Sequence, residues 1–335
     1  MKKILASLVA FLLMVCQLPA QTNDFYDDAE TVRLNVAGIE ISGEIANPGK
    51  VDFETLPLRS VIVKETLLQD GMDKFVGAYR YDGYSLYDML NQVVLKKSNE
   101  ADFPPIIDLY VEVENAVGEK AVFSWGEIYY PIHRHEIIVA TQVARIVPSK
   151  TRELWPQPTD SKLVVAADLL THRNLSSPVK ITIKSYAGNY HIVKGLSPMF
   201  SESFSVVGSD KKITEIKSLS PDLQKLTYPA VFYGRGKGIH GTTPFKGILL
   251  KELLEKYTGM DAENLKTGLF VIAGKDGYHA AFSFSEVMNR NDQAEFLVIP
   301  LEKDTDGGAF QVYPAADFFS DRAIKSVESI RFEKL

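Results

Sequence analysis

Cysteine is almost missing from this sequence. The only one, Cys16, lies within the first twenty residues, MKKILASLVAFLLMVCQLPA. There Lys2 and Lys3 precede an apolar run that closes on the small residue Ala20, the form of a secretory leader cleaved before Gln21. With residues 1–20 removed, the chain has no thiol. That excludes disulfides, thiolate nucleophiles, cysteine-held clusters and every cysteine–metal bond. A second fate, lipidation of Cys16 as a new N-terminus, is weakened by Val15, which stands where a lipoprotein leader prefers Gly, Ala or Ser.

Long apolar runs are equally scarce. The leader is too short for a comfortable span, and no later segment approaches the ~18–20 apolar residues that crossing a bilayer needs. An excess of positive charge is absent too: 37 Lys and Arg stand against 43 Asp and Glu, a formal net charge of -6. A broad phosphate-binding surface, and with it nucleic acid as a partner, is therefore not expected. What is present, 45% hydrophobic and 24% charged residues over 335 positions, is the profile of a folded chain large enough for two cores.

Residues 21–32, QTNDFYDDAETV, are acidic and aperiodic and read as a tether. The stretch RLNVAGIEISGEIANPGKV then alternates apolar and polar residues up to an Asn-Pro-Gly turn, and LRSVIVKETLL continues the strand character. SLYDMLNQVV places Leu86, Met89, Leu90 and Val93 on one helical stripe with Ser85 as N-cap, and LLKELLEKY repeats the device with Leu249, Leu250, Leu253 and Leu254. Each predicted helix follows an aromatic, a charged residue and a glycine, Tyr81-Asp82-Gly83 and Phe245-Lys246-Gly247. Downstream, Gly118, Phe123, Ser124 and Glu127 match Gly277, Phe282, Ser283 and Glu286. AADLLTHR at 166–173 then matches AADFFSDR at 315–322. Matched blocks in one order predict two copies of one domain, at 33–186 and 190–335, joined near SYAGNYH. Strands grouped with few helices predict an α+β fold with mixed sheets.

The Asn-Pro-Gly turn at 47–49, the aromatic-x-Gly-x-x-Leu helix start, the Lys-Asp-Gly-Tyr hairpin at 275–278 and the closing VKITI strand together resemble the molybdopterin-binding domain of sulfite oxidase and its bacterial relatives, once per copy. The resemblance implies that fold twice over and a pterin or similar anionic ligand. It also implies a metal held by a pterin dithiolene and one cysteine on the segment before the helix start. Neither YPAVFYGRGKGIHGTTPFKG nor LPLRSVIVKETLLQDGMDKFVGAYRYDG contains a cysteine. Soft thiolate is what anchors such a metal, so the departure argues against oxidoreductase chemistry and against bound molybdenum.

Several local patterns compete as sites. Residues 234–243, GRGKGIHGTT, hold four glycines with Arg235, Lys237 and His240; convergent backbone N–H groups and two cations there could cradle phosphate or carboxylate, although the pattern is not a P-loop. The alternative is a solvated hairpin. His133-Arg134-His135 puts both imidazoles on one side of an extended segment, but two ligands make a poor metal site, and a third from His172, His191, His240 or a carboxylate is not visible in sequence. Asp168 with Arg173 and Asp317 with Arg322 recur in both copies, which favours a structural turn closed by the arginine over a ligand site. Trp155, within ELWPQP, fits either a core edge or a recognition anchor.

The expectation is thus an exported, non-catalytic binding protein, periplasmic or secreted. It would take a small anionic or pterin-like ligand through Gly234, Arg235, Gly236, Lys237, Gly238, His240, Lys275, Asp276 and Tyr278, with no catalytic residue, no metal and no required cofactor. Two alternatives remain: a molybdenum-cofactor oxidoreductase with a non-cysteine ligand, and a scaffold for another envelope protein.

Overall fold

A computed structural model describes residues 29–208, 211–234, 238–301 and 307–335, apart from the side chains of Phe232, Ile239 and His240. The expected leader lies outside the described residues. In the first half the chain runs through β1 (Val32–Arg33), β2 (Glu40–Gly43), β3 (Gly49–Lys50), β4 (Arg59–Gln69), β5 (Met72–Ser85), α1 (Leu86–Leu90), β6 (Leu109–Asn115), β7 (Lys120–Ser124), α2 (Trp125–Tyr129), β8 (Ile137–Arg145), β9 (Lys162–Val165) and β10 (Pro178–Ser185). The second half follows with β11 (Phe204–Val207), β12 (Lys212–Ile216), β13 (Lys225–Gly234), β14 (Gly238–Leu249), α3 (Leu250–Thr258), α4 (Ala262–Thr267), β15 (Gly268–Gly274), β16 (His279–Ser283), α5 (Phe284–Met288), β17 (Phe296–Pro300), β18 (Phe310–Pro314) and β19 (Val327–Lys334).

The expected α+β, sulfite-oxidase-like molybdopterin-binding fold is not what forms. The protein is mostly β, 46% strand and 12% helix, with four small sheets in a β-propeller-like arrangement. Both helical stripes are real; the second runs its full length as α3 (Leu250–Thr258), but the first stops early. α1 ends at Leu90 because the residues beyond it turn back to the end of β2, where Ile45 bridges Leu95 and the Asn47 side chain accepts the Val94 amide at 2.7 Å. Tertiary pairing overrides a helix too short to sustain itself.

Sheet order is the same in both halves. One sheet runs β3-β2-β10-β6-β7 and its counterpart β12-β11-β19-β15-β16; the other runs β4-β5-β8 with β9 attached to β8, and its counterpart β13-β14-β17-β18, the first half adding β1 on β8. In each half the closing strand, β10 or β19, lies parallel to the opening strand, β2 or β11. Strand alternation sorts the cores. Leu109, Val111 and Val113 of β6 face one cluster with Val139 and Leu163, whereas Tyr110 turns to the opposite face and meets Leu269 and Val271 of β15. Phe270 and Ile272, which alternate with those two, point into the core of the second half. Both faces of β15 are buried, which is why GLFVIAG reads as an unbroken apolar run.

The glycine before each helix has a packing reason. A Cβ on Gly83 would sit 2.1 Å from the Val139 carbonyl oxygen, and one on Gly247 2.6 Å from that of Val298. The neighbouring strand crosses too closely for any side chain there.

Candidate functional site

The recurrent Asp and Arg build the contact between the halves. Arg173 donates from Nε and Nη2 to Asp168 at 2.9 and 2.7 Å, and Arg322 repeats this fork on Asp317 at 2.8 and 2.6 Å. The remaining nitrogen of each arginine reaches the helix-cap glutamate of its own half, Glu127 or Glu286, and the N-cap serine of the other half, Ser283 or Ser124. Each guanidinium also lies over a phenylalanine, Phe123 at 4.5 Å and Phe282 at 4.7 Å. Backbone bonds echo the exchange: Leu169 N–H donates to the Asn289 carbonyl and Phe318 N–H to that of Tyr130.

This cluster is closed to solvent. Arg173 and Arg322 are each 1% exposed. Burial opposes their charge, but Asp168 with Glu127, and Asp317 with Glu286, outweigh it and keep both arginines protonated. Burial dominates at the carboxylates and raises Asp168 and Asp317. Glu286 is pushed up to about 7 by burial and by Glu127, against the pull of Arg322, while the Ser124 hydroxyl donates to its Oε1 at 2.5 Å.

The residues expected to hold a ligand in the second half are spread around one turn. Gly234 and Gly238 pair at the ends of β13 and β14; Arg235, Gly236 and Lys237 between them, and the His240 side chain, lie outside the described residues. On the far side, Lys275 is engaged by Glu328 at 2.6 Å, Asp276 accepts the Tyr278 amide at 3.0 Å, and the Tyr278 hydroxyl donates to the Asp321 carbonyl at 3.0 Å. Asp276 and Tyr278 line a cavity of about 220 Å³ with Ser320 and Asp321, whereas Tyr233 packs on Phe318 and Phe319 beside a separate, nearly filled cavity of about 10 Å³. The described parts of the two segments therefore flank residues 317–323 without sharing a cavity.

A roomier cleft opens in the first half, at the other candidate. About 470 Å³ is bounded by Ser60, Val61 and Ile62 of β4 and by Ile132, His133, Arg134, His135 and Glu136. His135 is held inward: its Nδ1 lies 3.0 Å from the Ser85 hydroxyl and 3.5 Å from Asp88 Oδ2. Burial and then Arg59 depress its pKa, so it is neutral at pH 7. Ser85, Asp88 and His135 do not make a nucleophilic triad, because Ser85 is fully buried and its hydroxyl accepts the Asp88 amide as the N-cap of α1. Arg134 stacks on Tyr87 and donates to its hydroxyl at 2.9 Å, a neutral partner. Glu136, the one carboxylate among the lining residues, is raised by burial and by Asp292.

No protein-family model matches the chain, and no curated protein matches it.

Its chemistry therefore has to be read from its own residues. Among the described residues no three His, Cys, Asp or Glu side chains are grouped to hold a metal, and His172 is already spent accepting the Leu68 amide at 2.9 Å. The pterin expected from the resemblance belonged to an architecture that is not the one found. Trp155 donates to the Ile146 carbonyl at 3.0 Å and meets Phe75 edge-on, so it packs over the β5 surface. Ser60 and Ile62 were invisible as site residues in the sequence. LRSVIVKETLL declares a strand, but which edge of that strand stays open depends on its neighbours.

Proposed function

We propose that this is an exported, non-catalytic binding protein that holds an anionic ligand in the cleft between β4 and residues 132–136. The observation that carries this reading is the cleft itself: about 470 Å³, open, with Arg134 facing it beside exposed Ile62 and Ile132. That volume falls in the range of small-ligand sites, and a cation beside apolar side chains can orient an anion. Export rests on residues 1–20. The non-catalytic part rests on Ser85 being buried and committed to capping a helix, with His135 and Asp88 bonded to its hydroxyl. Among the described residues no helix is long and apolar enough to cross a membrane, which agrees with a ligand met outside a bilayer.

The test is a thermal-shift screen of mono- and dicarboxylates and phosphates against the mature chain. The reading expects a subset of anions to raise the melting temperature, and Arg134→Ala to abolish that rise. It is overturned if Arg134→Ala leaves every shift intact while Tyr278→Phe removes it.

A further inference from the structure

Among the described residues, one wall of the cleft is unpaired backbone: β4 is an edge strand there, bonded to β5 on one side only. Its alternation tells which amides face outward. Thr66 and Leu68 turn their N–H groups away from β5, to Thr171 Oγ1 and His172 Nε2, and the Thr66 carbonyl accepts the Thr171 amide. A strand has a period of two, and the register shift near Thr66 inserts its extra residue in β5, not β4. Ser60, Ile62 and Lys64 therefore present N–H and C=O to the same side, where the loop carrying Thr171 no longer covers them. That Ser60, Val61 and Ile62, with side chains on alternate faces, all line one cavity places the cavity along this open edge.

Resting on the reading of the cleft as an anion site, we infer that its ligand is an extended, acidic segment of another polypeptide, which pairs as an added strand with β4 at Ser60, Ile62 and Lys64. Backbone pairing supplies affinity in such recognition, and side chains at alternate positions supply selectivity. Ile62 and Ile132, 47% and 65% exposed, offer apolar contacts to one set of positions. Arg134 and exposed Lys64 offer charge to acidic ones; Asp82 and Asp88 are already occupied by Ser60 and Arg80 and by Arg59, and burial and Asp292 raise the pKa of Glu136, the carboxylate in the lining. An open strand edge flanked by lysine is also how proteins discourage indiscriminate pairing, so a partner must bring negative charge to use it.

The experiment measures binding of a short capped peptide alternating valine and glutamate to the mature chain by calorimetry. Two derivatives are compared, N-methylated on the amides of one face or the other, together with a capped glutamate amide as a small-anion control. Only one methylation register faces β4, so that derivative should lose about tenfold or more in affinity while the other keeps it. Ile62→Pro, which removes an outward amide, should lose the peptide. Equal binding of both methylated peptides overturns strand addition while leaving the anion reading intact, and failure of every acid to bind overturns both. A chain lacking residues 21–30 that binds a peptide the mature chain rejects assigns the edge to the protein's own acidic segment and overturns the partner. Because methylation sits on the ligand, the test holds even if the proline variant misfolds.

Discussion

Arg322 and Ser124 meet at 3.1 Å, Nη1 to Oγ, across 198 residues of sequence. The mirrored contact, Arg173 to Ser283 at 3.0 Å, makes the pair reciprocal. Each half thus caps a helix of its own with a serine that the other half's arginine must also satisfy. The two cannot separate without breaking these buried, charge-assisted hydrogen bonds.

Removing one arginine tests that dependence. Arg322→Met leaves Asp317 and Glu286 buried without their cation, and breaking such a pair costs about 3–5 kcal/mol. Replacing Arg322 and Asp317 together by apolar residues should cost less than Arg322→Met alone. Urea unfolding of the three proteins gives the comparison, and a double variant weaker than the single one refutes the charge argument.

Gly126 faces the same guanidinium. A Cβ there would lie 2.3 Å from Arg322 Nη1. Gly126→Ala should therefore destabilise by about 1–3 kcal/mol through overpacking, although alanine ordinarily favours a helix. An unchanged or raised denaturation midpoint would show that Arg322 can move aside.

The pH dependence has a definite sign. Glu286 rises from 4.5 to about 7 on folding, chiefly through burial. Between those values the folded form holds more proton than the unfolded one, so this group's contribution is complete below about pH 4.5 and is lost as pH rises through about 7. His135, His172 and His279 are depressed by burial and act in the opposite sense up to their unfolded value of 6.5. Their share cancels on comparing the wild type with Glu286→Gln. From pH 5 to 8 the wild type should lose ground to that variant, with a slope of at most about 1.4 kcal/mol per pH unit. A constant difference would mean that Glu286 is ionised throughout.

Hydrogen exchange reads the open edge directly. Amides of Ser60, Ile62 and Lys64 should exchange orders of magnitude faster than those of Val61 and Val63, which pair with β5, and the amides of β15 should be among the slowest. Uniform protection along β4 would mean that its edge is covered.

Local devices were legible in the sequence, whereas the fold class was not. Ser124 with Glu127 and Ser283 with Glu286 each close a capping box, and the Asp-x-x-x-x-Arg spacing announced a turn tied by its own arginine. The sequence could not show that each arginine would also serve the opposite half. Helical stripes at 86–93 misled because one turn satisfies them before Val94 and Leu95 are recruited by β2. The glycine-rich stretch at 234–243 stood out by composition, yet Gly234 and Gly238 simply continue a strand pair. His133-Arg134-His135 lies in the cleft proposed as the site, but the edge of β4 opposite it could not be read in advance, because backbone leaves no composition signal.

The most direct measurement is an amide chemical-shift map of the mature chain titrated with the glutamate-containing peptide. Shifts concentrated at Ser60, Ile62, Lys64 and residues 132–136 are the predicted result. Shifts centred instead on residues 275–278 and 317–323, with β4 silent, would contradict it.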